Sequence, residues 1–265
     1  EEQISQKVEV QFKATRKEIY SNPRQLDLEN GDLVVTEAEV GYDMGTVTMK
    51  GELVKLQMKK KRISEDAELP QILRKANEQD IEIYREAKGR ELPMMFDTRQ
   101  FAKELGLVMK VSDVEVQGDN KKATFYYTAD GRVDYRELIK RLGREFKVKV
   151  EMKQIGLRQE AGRIGGIGDC GRELCCSTWL TEFNAVPTVA AKYQNLFLNP
   201  LKLSGQCGRL KCCLNYELET YLEALEDFPG EDTVLKTQKG EAKVFKVDIL
   251  KRLLWFIYPQ DTPGT

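Results

Sequence analysis

The heptapeptide Cys170-Gly171-Arg172-Glu173-Leu174-Cys175-Cys176 returns 37 positions later as Cys207-Gly208-Arg209-Leu210-Lys211-Cys212-Cys213. Each copy reads C-G-R-x-x-C-C and closely follows a glycine, Gly168 or Gly205. The two copies hold all 6 cysteines of the chain. Thiolates are ligands for soft metals, for zinc and for iron–sulfur clusters. The chain has 0 histidines. That excludes Ser-His-Asp and Cys-His catalysis and every imidazole-ligated metal. A metal held by this chain alone takes sulfur, carboxylate or carbonyl ligands, and the six clustered thiols make sulfur the first choice.

The residues between the cysteines fit that chemistry. Gly171 and Gly208 permit a tight turn and close backbone approach to a bulky centre. Arg172 and Arg209 supply charge-assisted donors to a negatively charged one. These four are candidate cofactor-binding residues, and Cys170, Cys175, Cys176, Cys207, Cys212 and Cys213 are candidate metal ligands. A [4Fe-4S] cluster or a structural zinc takes four thiolates. Six therefore overfill one site and underfill two. Zinc favours C-x₂₋₄-C spacing, which the first gap satisfies and the adjacent pairs do not. Free or disulfide-bonded thiols are a third reading. A nucleophilic cysteine is the weakest, because no histidine can serve as its base. The glycines of 162–171 could cradle a phosphate or flavin, but they lack G-x-x-x-x-G-K-[ST] and a βαβ setting. Turns around the cysteines explain them more simply.

Composition bounds the rest. The chain has 265 residues, 41% hydrophobic and 32% charged, enough for two or three modest domains. Lys+Arg (42) and Asp+Glu (43) nearly cancel, so no global field draws it to nucleic acid or anionic membrane. No apolar run approaches the roughly 20 residues needed to span a bilayer. A soluble, cytoplasmic protein with reduced thiols is expected.

The expected fold is α+β: a small N-terminal β-unit, a central α+β sandwich, and a cysteine-rich region with an amphipathic helix and C-terminal strands. Residues 1–64 form the β-unit, perhaps a barrel. Val8, Val10 and Phe12 alternate with polar neighbours, and turns follow at Asn30-Gly31-Asp32 and Gly41. Lys59-Lys60-Lys61-Arg62 ends it as a solvated linker, with RNA binding as the alternative. Residues 65–155 are the sandwich. It opens on a helix presenting Leu69, Ile72, Leu73 and Ala76, then a second face through Met94, Phe101 and Leu105. The order helix–strand–strand–helix–strand follows, with Asp134 and Glu137 as a capping box. Residues 156–230 carry the cysteines and a helix over 214–225. Residues 231–265 read as strands that could complete the N-terminal β-unit.

The run Phe125–Leu138 (F-Y-Y-T-A-D-G-R-V-D-Y-R-E-L) with Gln154–Arg158 resembles the polymerase-suppressor C-terminal domain. The continuation through Gly165–Arg172, Leu174–Thr178, Gln194–Leu196, Asn199-Pro200 and Ser204–Cys213 is similar to the bacterial RicT (YaaT) branch, with Asp169 where a proline is expected. The resemblance implies a non-catalytic cytoplasmic regulatory protein. It would act with two small helical partners, RicA and RicF, in a complex that carries [4Fe-4S] clusters and is associated with flavin (FAD, at the level of the complex only). That complex modulates RNase Y and mRNA processing, with effects on sporulation, competence and biofilm. All six cysteines match the ligand positions. The alternative is an RNA-associated module whose cysteines hold a structural zinc.

Overall fold

The structure, a computed structural model, describes residues 6–197, 199–230 and 232–260. The outer ends of the first and last expected segments, 1–5 and 261–265, lie outside the described residues. The class is α+β, and the chain divides into two compact units, Glu1–Thr178 and Trp179–Thr265.

In the first unit, strands β1 (Lys7–Gln11), β2 (Lys17–Ser21), β3 (Leu33–Glu37), β4 (Tyr42–Lys50) and β5 (Ile72–Lys75) pair antiparallel in the order β2-β1-β4-β3-β5. The two edges meet at a parallel bridge between Ser21 and Gln71, with Ser21 N–H donating to the Pro70 carbonyl at 2.9 Å. The sheet thus closes on itself as a small barrel around Val8, Val10, Val34, Val47 and Ile72.

Two expectations are corrected here. Ile72 and Leu73 are strand, not helix, because Ile72 fills the barrel core and its backbone completes the pairing with β3. Lys59 and Lys60 are not linker but the last turn of a helix, α1 (Glu52–Lys60). Val54 and Met58, one helical turn apart, pack on Ile19. This helix covers the outer face of β1, so Glu9 is 1% exposed rather than solvated. Thr48 donates to its carboxylate at 3.0 Å, and Lys61 and Lys17 lie 3.7 and 3.8 Å away.

The sandwich follows. Helix α2 (Glu78–Glu104) opens on a reciprocal capping box between Asn77 and Asp80 and continues through Pro93. The strands are β6 (Lys110–Val116) and β7 (Lys122–Thr128), antiparallel, and β8 (Lys149–Gln154), parallel to β7 after the crossover helix α3 (Arg136–Phe146). This is the expected order. Phe125, Val114, Leu138 and Leu142 are fully buried against Ala87, Met94 and Ala102 of α2. The capping box expected at Asp134 is absent: the N-cap is Tyr135, and the Asp134 carboxylate is taken by Arg136.

Buried charges join barrel to sandwich. Arg16, in the β1–β2 turn, donates to Glu115 of β6 at 2.8 Å and to Asp43 of β4 at 2.6 Å. Glu115 also accepts from Tyr126 at 3.0 Å and from Arg163 at 3.1 Å. Burial pushes the Glu115 carboxyl up, but Arg16 and Arg163 outweigh it and hold it below the usual carboxylate range.

In the second unit α5 (Val189–Tyr193), α6 (Pro200–Leu203) and α7 (Cys212–Glu226) bury Ala190, Ala191, Leu203 and Leu214. Strands β9 (Val234–Thr237), β10 (Gly240–Asp248) and β11 (Leu253–Ile257) form a meander of their own. Among the described residues these strands pair with one another and not, as expected, with the N-terminal sheet.

Candidate functional site

The first cysteine copy is carried by helix α4 (Leu157–Ile164), which the glycine-rich reading of this region missed. The helix is fastened to β6. Its Glu160 accepts from the Ser112 hydroxyl at 2.5 Å and from Lys110 at 2.9 Å. Arg163, 7% exposed at its side chain, forks onto Asp113 at 2.7 and 2.9 Å and stacks 3.7 Å over the Tyr126 ring. The amphipathic spacing of Glu160 and Arg163 was the available signal for this helix. It does not open a βαβ unit, since the helix precedes the glycines instead of following them, which removes the basis for a nucleotide loop.

The sequence repeat is also a structural repeat. In the first copy Gly168 N–H donates to the Arg172 carbonyl at 2.8 Å, and Gly171 N–H to the Gly168 carbonyl at 2.9 Å. In the second, Gly205 and Arg209 make the same bond at 2.9 Å, as do Gly208 and Gly205 at 2.9 Å. The strand-like closures match too, Ile167 with Glu173 and Ser204 with Leu210. Gly171 and Gly208 lie at φ of +78° and +71°, where a side chain is strained. The residues before the second cysteine, Leu174 and Lys211, share φ, ψ of −56°, 131° and −55°, 130°. A helical turn then starts at that cysteine: the 3-10 turn Cys175–Ser177 in one copy, α7 in the other.

The first sulfur of each copy folds back over the first glycine. A Cβ on Gly168 would lie 3.5 Å from Cys170 Sγ, and one on Gly205 3.9 Å from Cys207 Sγ. Cys170 is exposed; Cys175, Cys207, Cys212 and Cys213 are half-buried; Cys176 is buried. The adjacent pair thus splits in the first copy, as geometry requires of neighbouring side chains. Burial raises the Cys213 thiol, and Glu217 and Cys212 add to it. The Arg172 and Arg209 side chains are exposed, and it is their carbonyls that close the loops.

No disulfide joins any of the six thiols. Among the described residues no three Cys, Asp or Glu side chains gather in a form that could hold a metal. The donor set nevertheless suits a soft metal in type: sulfur, with glycine turns that leave room beside it. In number each copy falls one short of the four ligands that a zinc or a cubane takes. A four-ligand site would need a ligand from beyond a single copy. No helix among the described residues is long and apolar enough to cross a membrane.

Comparison with known proteins adds lineage. Residues 70–155 match the PSP1 C-terminal conserved region, 185–228 the third domain of PSP1-like proteins, and 236–265 the YaaT C-terminal domain. The chain is 42% identical over 248 residues to the stage 0 sporulation protein YaaT of Bacillus subtilis (strain 168), covering 92% of this chain and 87% of that one. It is 28% identical over 166 residues to an uncharacterized protein of Schizosaccharomyces pombe, covering 54% of this chain and 22% of that one. No solved structure matches the chain.

Proposed function

This chain belongs to the YaaT family of PSP1 proteins, and from that premise we propose that it is a non-catalytic regulatory adaptor whose cysteine loops hold iron–sulfur clusters. The observation that carries the reading is the repeat in three dimensions. Two loops with one backbone course carry their cysteines at matching positions. Cys170 and Cys207 stand over glycine, Cys175 and Cys212 open a helical turn, and Cys176 and Cys213 follow them in that turn. A bound cluster supplies a one-electron, oxygen-sensitive centre.

The protein's own residues hold and position that centre. The glycine turns let backbone come close, and α4 fixes the first loop to the sandwich through Glu160 and Arg163. Under this reading the adaptor acts on RNase Y-dependent mRNA processing with RicA- and RicF-like partners, which supply a ligand where each three-cysteine copy falls one short of four. The relative's name places that relative in sporulation, in keeping with a regulator.

The test is iron, acid-labile sulfide and zinc on anaerobically purified full-length protein and on its Cys170→Ala and Cys207→Ala variants. Iron and sulfide in equal amounts, falling in both variants, are expected. Stoichiometric zinc without sulfide would instead make the loops a structural site. Iron unchanged in both variants would end the ligand assignment.

A further inference from the structure

Helix α4 has no large apolar anchor. Its buried residues are Glu160 and Gly162. Its two large apolar side chains face outward, Leu157 at 43% and Ile164 at 63% exposed. The other helices of the first unit are held differently: α1 buries Val54 and Met58, and α3 buries Leu138 and Leu142. Charge keeps α4 on the sheet. Glu160 is taken by Ser112 and Lys110 of β6, and Arg163 by Asp113 and Glu115 of the same strand. Arg163 also covers the Tyr126 ring of β7. A helix with so few buried apolar contacts belongs to the part of a fold that opens locally, well below the free energy of global unfolding.

What α4 covers is the inner cysteine of the first loop. The three atoms nearest to a Cβ placed on Gly162 all belong to Cys176: its carbonyl oxygen at 2.6 Å, its carbonyl carbon at 3.2 Å and its Cβ at 3.6 Å. Cys176 is 5% exposed and is the buried member of the six cysteines. Gly165 and Gly166, at φ +78° and +140°, separate the helix from the loop and give it a pivot that side chains would restrict. The second copy is anchored in another way. The short helix ahead of it, α6, buries Leu203 in an apolar cluster with Ala190, Ala191 and Leu214, and its Cys213 is half-buried.

We propose that α4 is an electrostatic latch on the first cysteine loop: it lifts from the sheet as a unit, and while docked it keeps the Cys176 thiol from incoming metal. The two copies are then loaded differently. The second is open at all times, and the first accepts a ligand at Cys176 only when the ion pairs of Glu160 and Arg163 are broken. The inference deepens the reading of the cysteines as metal ligands and rests on it for this consequence; the latch itself is a property of the protein alone. The two states are docked and lifted α4. The ion pairs to β6 bias the first state, and metal bound through Cys176 biases whichever state leaves room for it, so latch and metal are linked reciprocally.

The experiment pulse-labels reduced, metal-free full-length protein with N-ethylmaleimide and reads each cysteine by peptide mass spectrometry, normalised to its rate in urea. Hydrogen exchange of residues 157–164 follows the helix directly. Cys176 should be more protected than Cys175 beside it. E160Q should speed Cys176 labelling about tenfold or more, as losing a hydrogen bond to a charged group does. Raising KCl from about 0.1 M to about 1 M, which shortens the screening length from about 10 Å to about 3 Å, should speed it by about threefold. Cys213 labelling and exchange in β7 should not change with either. L157S/I164S, which alters only the outward apolar face, should label as the parent does. The proposal is overturned if Cys176 is labelled as fast as Cys175 in the parent, if E160Q and salt have no effect, if L157S/I164S opens the helix as E160Q does, or if β7 exchange rises in step with Cys176 labelling. Iron content of the same proteins purified anaerobically reports separately on the ligand reading: an iron-free parent refutes that reading and leaves the labelling result standing.

Discussion

Gly162 of α4 lies against the carbonyl oxygen of Cys176: a Cβ added to the glycine would sit 2.6 Å from that oxygen. The support helix and the first cysteine loop therefore touch where only glycine fits. Gly143, in α3, has nothing within 4 Å of its added Cβ. Gly→Ala within a helix ordinarily stabilises by up to about 1 kcal/mol. We expect that gain for Gly143→Ala. For Gly162→Ala we expect the opposite sign, a loss of about 1–3 kcal/mol, because the clash is with backbone. Denaturant melts of the two variants check the pair.

Gly171→Ala and Gly208→Ala each force a side chain into left-handed backbone, at about 1–2 kcal/mol of local strain. Because the loops share one backbone course, both variants should lose bound metal to a similar degree. Metal content of the purified variants measures it. Loss in one copy alone would mean that the two loops are not functionally equivalent.

Arg163 neutralises Asp113 and Glu115 from a nearly buried position. Removing it leaves two carboxylates facing each other with less compensation. Arg163→Met should cost about 3–5 kcal/mol, as breaking a buried pair does. Arg163→Lys should recover only part, because a lysine cannot reproduce the planar fork or the stacking on Tyr126. Hydrogen exchange at β6 should rise in the same order.

Acid should loosen the first unit. Burial raises Glu160, but the Ser112 hydroxyl and Lys110 more than offset it, so its folded pKa is lowered, as is that of Glu115. A lowered carboxylate stabilises the fold above its unfolded value, about 4.3 for glutamate. That contribution is lost as pH falls through the folded value. Melting temperature should thus hold from neutral pH to roughly 5 and drop below about 4. Glu160→Gln should be less stable at neutral pH and show a shallower acid drop.

Much of the chain was legible without coordinates. β1, the order from α2 to β8, and the helix after the second cysteine copy all follow from periodicity, because each buries one face against neighbours that its own spacing announces. The duplicated cysteine motif is visible from residue type and spacing alone. Local pattern failed where distant chain decided the outcome. Ile72 stands in a stretch that reads as helix-prone, yet pairing with β3 in the closed barrel makes it strand. Glu9 alternates as a surface residue, yet α1 covers it and Lys61 and Lys17 answer its charge.

The repeat of seven residues is written in the sequence; that both copies take one backbone course is a matter of hydrogen bonds between residues several positions apart. The reach of Arg163 to β6, and of Arg16 to Glu115, belongs to the tertiary structure alone. Charges separated by tens of residues meet only when a sheet register and a helix crossing bring them together. No spacing along the chain encodes that meeting, because side-chain electrostatics acts through space and residue periodicity reports only on the element a residue occupies.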